Sequence, residues 1–341
     1  MDSVFLDACR RKAVEYTPVW FMRQAGRYLP SYRKLRGSRG VLEIAKNPEL
    51  ASRVAVEPVK KLGVDAAVLF ADIMLPLEGV GIKFHIQENL GPVVRSKIRS
   101  RKDVDAIGEF DAETHVPYVL ETVEKTNEKL NGVPLIGFSG APFTLAGYLI
   151  EGSPSREFVL TKRMMYEEPD AWRELMRKLT QLVTKYLAAQ VASGASAVQL
   201  FDSWVGCLSP EDYQAFVLKY TEKIFDSLHR RVPTIHFCAN SSGLIEDFAR
   251  TGCDVISVDW RLPINQAWMR SGDRLGVQGN LDPVLAMSGG ALMEKGTRDV
   301  LRRASGHKGH IFSLGHGVMR ETPPANLQRI VKLVHSETRA K

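Results

Sequence analysis

The stretch AWRELMRKLTQLVTKYLAAQVASGASAVQLFDS, residues 171–203, contains in one pass the unit from which the rest of the chain is built. Leu175, Leu179, Leu182, Tyr186 and Ala189 recur at three- and four-residue intervals, the period that gathers them on one face of a helix over 171–193. Beyond Gly194 that period is lost. Residues 195–201, ASAVQLF, form a short, mostly apolar run, as strands buried on both faces do. Asp202 and Ser203 follow at once, so polar chemistry begins where the strand stops.

Runs of the same kind lie at 65–70, 133–138, 233–238, 254–259, 274–279 and 310–314, with helical patterns between them. Each helix returns the chain to start another parallel strand. Seven strands are readable in this way, and the eighth is expected from residues 80–94, where Gly79, Gly81 and Gly91 mark a hairpin or excursion. The expected fold is therefore α/β, a single-domain (β/α)8 TIM barrel over residues 1–341, with no linker or low-complexity tract dividing it. In such a barrel the chemistry sits on the face where the strands end. That criterion selects Asp72, Ser139, Asp202, Ser203, Asn240, Asn280, Asp282 and His316.

Lys and Arg number 46 against 39 Asp and Glu, giving a formal charge of +7 that favours anionic partners. The basic residues are scattered, with no run of five or six to mark a nucleic-acid arm or polybasic membrane segment, so neither nucleic acid nor membrane is an expected partner. Four cysteines, Cys9, Cys207, Cys238 and Cys253, lie far apart without a CxxC pair, which argues against a disulfide framework and fits a reducing cytoplasm. The apolar patch at Val4, Phe5 and Leu6 is too brief for a signal peptide, and no apolar run reaches membrane-spanning length. Neither GxxxxGK[ST] nor GxGxxG occurs, and Ser288-Gly289-Gly290 alone does not make a phosphate loop.

Two places concentrate chemistry. Asp72, in LFADIM, is a single carboxylate among apolar neighbours at a strand end; taken alone, an Asp there is most simply a helix cap. The segment PVWFMRQAGRYLPSYR, residues 18–33, shifts that balance: Arg23 and Arg27 stand four apart around Gly26, a spacing at which two guanidinium forks can grip carboxylates. Trp20, Phe21, Met22 and Tyr28 are a costly set to leave in water around a merely solvated helix face.

That segment closely resembles the N-terminal signature of the uroporphyrinogen decarboxylase family, and GFSGAPFTLAGYLIEG at 137–152 resembles its second. Further matches follow in order: FADIMLPLEGVG from Phe70, QLFDSWVG from Gln199, GVQGNLDP from Gly276 and SLGHGV from Ser313. The resemblance spans nearly the whole chain and implies a cofactor-free, metal-free lyase of haem biosynthesis, forming a homodimer with facing clefts. Its substrate, uroporphyrinogen, bears four acetates and four propionates, and loss of four CO2 from the acetates gives coproporphyrinogen. By resemblance, Asp72, Arg23 and Tyr148 are the catalytic residues. Arg23, Gln24, Ala25, Gly26, Arg27, Asp72, Tyr148, Ser203 and His316 are the substrate-binding set, with Gly315 and Gly317 letting the His316 loop approach the macrocycle. On residues alone, Tyr148 reads as a core tyrosine and His316 as a satisfied loop histidine. The loop HFCANSSGL, at 236–244, departs from the charged or glycine-rich loop usual at that point, leaving its substrate contacts open.

Two other readings compete. Zinc-dependent corrinoid methyltransferases of the same fold use a His-x-Cys pair and a later Cys; His236 and Cys238 supply the pair here, with His316 where the third ligand would fall. Those enzymes generally lack the RQAGR segment. A tetrapyrrole storage protein would lack the Asp or the arginines, and both are present.

Overall fold

The computed structural model describes residues 3–88, 90–240 and 242–339. Its centre is a curled parallel sheet built from β1 (Ala67–Val68), β4 (Leu135–Gly140), β5 (Ala197–Phe201), β6 (Thr234–Phe237), β7 (Val255–Ser257), β8 (Gly276–Leu281) and β9 (His310–Leu314), hydrogen-bonded in that order. Strands β4, β6, β7, β8 and β9 are buried along their whole length, as their largely apolar runs imply, with Gln278, His310 and other polar residues buried among them. The helix Pro169–Ala192 turns Leu175, Leu179, Leu182 and Tyr186 into the core, while Ala189 is only partly buried against it.

Local signals fix the helix ends. Asn47 accepts from the Leu50 N–H at 3.0 Å to cap Pro48–Leu62, and Gly63, at φ 75°, ends that helix in the left-handed conformation that glycine adopts most readily. The chain then enters β1.

Residues 80–94 do not supply the eighth strand. Phe84–Gln87 (β2) and Gly91–Val94 (β3) pair antiparallel as a separate hairpin, because their glycines turn the chain back on itself before it reaches the sheet. The gap between β9 and β1 is spanned instead by the start of the RQAGR segment. Val19 bridges Phe312 in parallel, Phe312 N–H donates to the Pro18 carbonyl at 2.8 Å, and Asp65 N–H donates to the Val19 carbonyl at 2.8 Å. The rim thus runs as a ring: segment 18–21, β1, β4, β5, β6, β7, β8, β9. Trp20, Phe21, Met22 and Tyr28 are all buried, Trp20 donating its indole N–H to Gln278 Oε1 at 2.7 Å inside the barrel. Among the described residues no helix is long and apolar enough to cross a membrane.

Candidate active site

Because segment 18–21 occupies the eighth strand position, Arg23 emerges at the barrel mouth rather than on a helix. Residues 22–29 form turns, and Arg23 itself is left-handed at φ 61°, a sparsely populated conformation for a residue with a side chain. The loop is held rigidly. Gln24 is fully buried and uses both ends of its amide on the backbone, accepting from Phe21 N–H at 3.0 Å and donating to the Ala66 carbonyl at 2.9 Å. Its side chain therefore anchors the loop. Tyr28 Oη donates to the Gln24 carbonyl at 2.7 Å, and Arg33 donates to the carbonyls of Arg27 and Tyr28. Among the described residues, the N–H groups of Ala25, Gly26 and Arg27 donate to no backbone acceptor, so three successive donors remain for an anion. Arg27 is paired with Glu88 at the hairpin tip, 2.8 Å away.

Asp72 follows β1, the neighbouring ring position. It is half-buried, and its Oδ1 accepts from Met74 N–H at 2.9 Å, the local cap that the sequence allowed. No cation among the described residues lies within ion-pair distance of it. Burial raises its pKa above the ordinary carboxylate value; the Met74 hydrogen bond and the more distant Arg23 charge oppose that, and Glu78 adds to it.

Tyr148 comes from the helix Pro142–Glu151, which is apolar nearly all round and sunk into the protein directly after β4. Burial pushes its hydroxyl up to about 12, with Asp72 adding to the shift and Trp204 and Arg23 opposing it, so at neutral pH it is a hydrogen-bond donor. Ser203 follows β5 beside Asp202, and Asp202 accepts from Thr144 on the Tyr148 helix at 3.0 Å, tying these two walls together.

His316 lies beyond β9. Burial pushes it down to about 4, helped by the Arg23 charge, so its ring is neutral at physiological pH. Nδ1 accepts the Gly317 N–H at 2.8 Å, which leaves the proton on Nε2 as a donor. The flanking glycines do make a close approach, but to protein: a Cβ on Gly317 would stand 2.5 Å from Arg23 Cδ, and one on Gly315 2.5 Å from the Trp260 nitrogen.

Beside these groups runs an aromatic row, Phe138, Phe201, Phe237 and the His316 ring, with successive centroids 5.4, 5.6 and 5.8 Å apart; Phe138 and Phe237 are core, as their apolar runs implied, and Phe201 is partly buried against it. The signal was available, since the phenylalanines stand at or next to the ends of three consecutive apolar runs. Other strand-end polar residues serve structure. Asp282 caps the helix Pro283–Ser288, Asn280 donates to the carbonyls of Asp259 and Leu262, and Ser139 is fully buried.

His236 and His316 do not converge. The His236 ring packs against Phe225 and Phe248 of the surrounding helices, whereas His316 packs against Phe237, whose side chain alternates to the opposite face of β6. Among the described residues no three His, Cys, Asp or Glu side chains are grouped to hold a metal.

A ring of parallel strands with a half-buried carboxylate, arginines and neutral donors at its strand ends has the layout of a (β/α)-barrel enzyme. The chain belongs to the uroporphyrinogen decarboxylase family, whose model matches residues 2–337. It is 50% identical to the uroporphyrinogen decarboxylase of Carboxydothermus hydrogenoformans over 98% of this chain and 96% of that one. The enzyme of that name from Chloroflexus aurantiacus is 48% identical, with the same coverage. A methyltransferase from Methanosarcina mazei shares the fold at a TM-score of 0.83, with 21% identity over 99% of both chains.

Proposed function

We propose that this chain, acting as one domain over residues 1–341, decarboxylates the four acetates of uroporphyrinogen III to methyl groups, giving coproporphyrinogen III and four CO2 in haem biosynthesis. The observation that carries the reading is Asp72: a carboxylate at a barrel mouth rich in arginine, with no cation in contact and one oxygen committed to Met74. Such a group is complementary to a ligand that brings N–H donors and develops positive charge. The interior of a pyrrolic macrocycle does both.

In each round a proton adds to the ring carbon beside the acetate-bearing carbon, making the pyrrole an iminium-like cation. The bond to the carboxylate carbon then breaks, its electron pair forms an exocyclic C=C with the ring as sink, and CO2 leaves. Protonation of that methylene and loss of the ring-carbon proton yield the methyl group, so the net change is exchange of CO2 for one proton. Ionised Asp72 stabilises the cation in a site far drier than water. Tyr148 donates toward Asp72 or the substrate, Ser203 and the His316 Nε2 proton bind carboxylate oxygens, and Phe201, backed by the buried Phe138 and Phe237, supports the ring face. Arg23 holds the reacting acetate. Arg27 takes a second carboxylate by exchanging it for the exposed Glu88, while the free N–H groups of Ala25 to Arg27 receive another. No cofactor or metal enters this scheme, because the pyrrole accepts the electrons itself. A cytoplasmic homodimer completes the reading.

The test is anaerobic turnover of uroporphyrinogen III by chelator-treated protein, with coproporphyrinogen followed chromatographically after oxidation. Wild type turns over, and Asp72→Ala loses activity while staying folded. No turnover by folded wild type, or an active Asp72→Ala variant, overturns the reading.

A further inference from the structure

On the ring of strands β7 stands fourth from β1, so the loop after β7 lies across the mouth from Asp72. This loop, Asp259-Trp260-Arg261, takes no part in the site described so far. Asp259 is 5% exposed and paired on both oxygens: Oδ1 accepts from Arg261 N–H at 2.8 Å, while Oδ2 accepts from Asn240 N–H at 2.6 Å and the Arg261 guanidinium at 3.0 Å. The guanidinium also lies over the Trp260 ring, 4.1 Å from its centroid. From behind, Asn280 Nδ2 fixes the carbonyls of Asp259 and Leu262. Gly315 packs on the Trp260 backbone, making this loop continuous with His316, Gly317 and Arg23.

The arrangement fixes Arg261 without hiding it. One edge of the fork is fastened to a buried carboxylate and one face to an indole, yet the side chain remains 48% exposed. A guanidinium has five N–H donors, and a single nitrogen is engaged with Asp259. The remaining donors are pre-oriented, so little side-chain freedom is lost when they bind. A merely structural arginine would need no exposed edge; a surface arginine would not be held on two sides.

We infer that Arg261 is a carboxylate-binding residue for the far edge of the macrocycle, gripping a propionate on the ring opposite the one undergoing decarboxylation. The inference rests on the function proposed above. A propionate is the fitting partner because propionates survive all four rounds, so the same hold is available each time a different ring faces Asp72. Arg23 and Arg27 grip one edge, and Arg261 grips the other.

The experiment compares Arg261→Lys and the charge-balanced pair Arg261→Gln/Asp259→Asn with wild type, using uroporphyrinogen III and the partly decarboxylated intermediates isolated from its turnover. The double variant keeps the loop free of an unpaired buried charge, so loss of fold does not imitate loss of binding; thermal melts check this. The expected result is a KM raised about tenfold in the double variant and less in Arg261→Lys, with kcat within twofold of wild type. The increase should be similar for uroporphyrinogen and every intermediate. An unchanged KM in well-folded variants, or a fall confined to kcat, overturns the inference. A KM increase that disappears as acetates are removed overturns the choice of propionate. Absence of turnover in wild type would instead refute the proposed function, and the parallel wild-type assay separates the two failures.

Discussion

Opposite edges of the barrel mouth each carry an aspartate and an arginine, and they are used in contrary ways. At β7, Asp259 and Arg261 neutralise each other, and the carboxylate is held by three protein donors. At β1 and the adjoining segment 18–21, Asp72 and Arg23 are close enough to influence each other but do not pair. Both remain available. A paired carboxylate needs nothing further, whereas an unpaired one in a half-buried position is kept at a cost that function must explain. The lesson is that a strand-end Asp is informative through its partners, and residue type alone does not separate Asp72 from Asp259.

The largest effect should come from erasing the unpaired charge. Asp72→Asn should lower kcat by up to about a thousandfold, the top of the range found when a preorganised electrostatic group is removed. It should also raise stability at neutral pH. A carboxyl whose folded pKa is raised favours the folded state below its unfolded pKa and loses that contribution as pH rises through the folded value. The variant should therefore melt above wild type at pH 7, with the difference closing as pH falls toward the ordinary carboxylate range. Wild-type kcat/KM should correspondingly fall on the acid side at a higher pH than an unperturbed Asp would give. His316, already neutral down to about 4, should add no limb near 6.5. Melting curves and rate profiles across pH check both signs.

Next in size is Arg23→Gly. A non-glycine residue in the left-handed region costs about 1–3 kcal/mol, a strain that glycine relieves while making the unfolded chain somewhat freer. Stability should stay level or rise, and kcat/KM should fall about a hundredfold with loss of the acetate grip. The same substitution at Arg261 has no backbone strain to relieve and leaves Asp259 buried without its cation, so it should destabilise. Paired melts and kinetics of the two variants would sharpen the contrast between the edges.

The sheet was legible because parallel strands covered on both faces are largely apolar, and their C-terminal ends are where Asp72, Ser203 and His316 were sought as candidates. Barrel closure was not legible. Pro18 to Phe21 joins β9 and β1 through a single bridge and a few backbone bonds, too short a contact to leave a strand-like run, and its aromatic residues drew attention as a binding motif instead. Gln24 likewise read as a ligand contact, although its amide holds the loop to Ala66, a pairing 42 residues distant in sequence. Of the aromatic row at the strand ends, Phe138 and Phe237 are core as their runs implied, and only Phe201 keeps partial exposure, which residue type does not reveal. Asp259 read as the last residue of a strand; its pairing with Asn240 and Arg261 depends on two neighbouring loops meeting.

The smallest of these effects tests how finely the unpaired edge is set. Among the described residues Arg23 has no salt bridge, so its position depends on contact: the Cγ, Cδ and Nε atoms lie where a Gly317 side chain would otherwise be. Gly317→Ala would put a Cβ 2.5 Å from Arg23 Cδ, too close for either to stay, and the long flexible side chain is the one that can move. Gly317 is not held at positive φ, so alanine brings no backbone strain. The melting temperature should change by no more than a few degrees, while kcat/KM falls about tenfold as the guanidinium shifts from the acetate position. Arg23→Lys in the Gly317→Ala background should then cost less than it does alone, because the geometry it removes has already been lost. Strictly additive losses in that double-mutant cycle would show that Gly317 does not position Arg23.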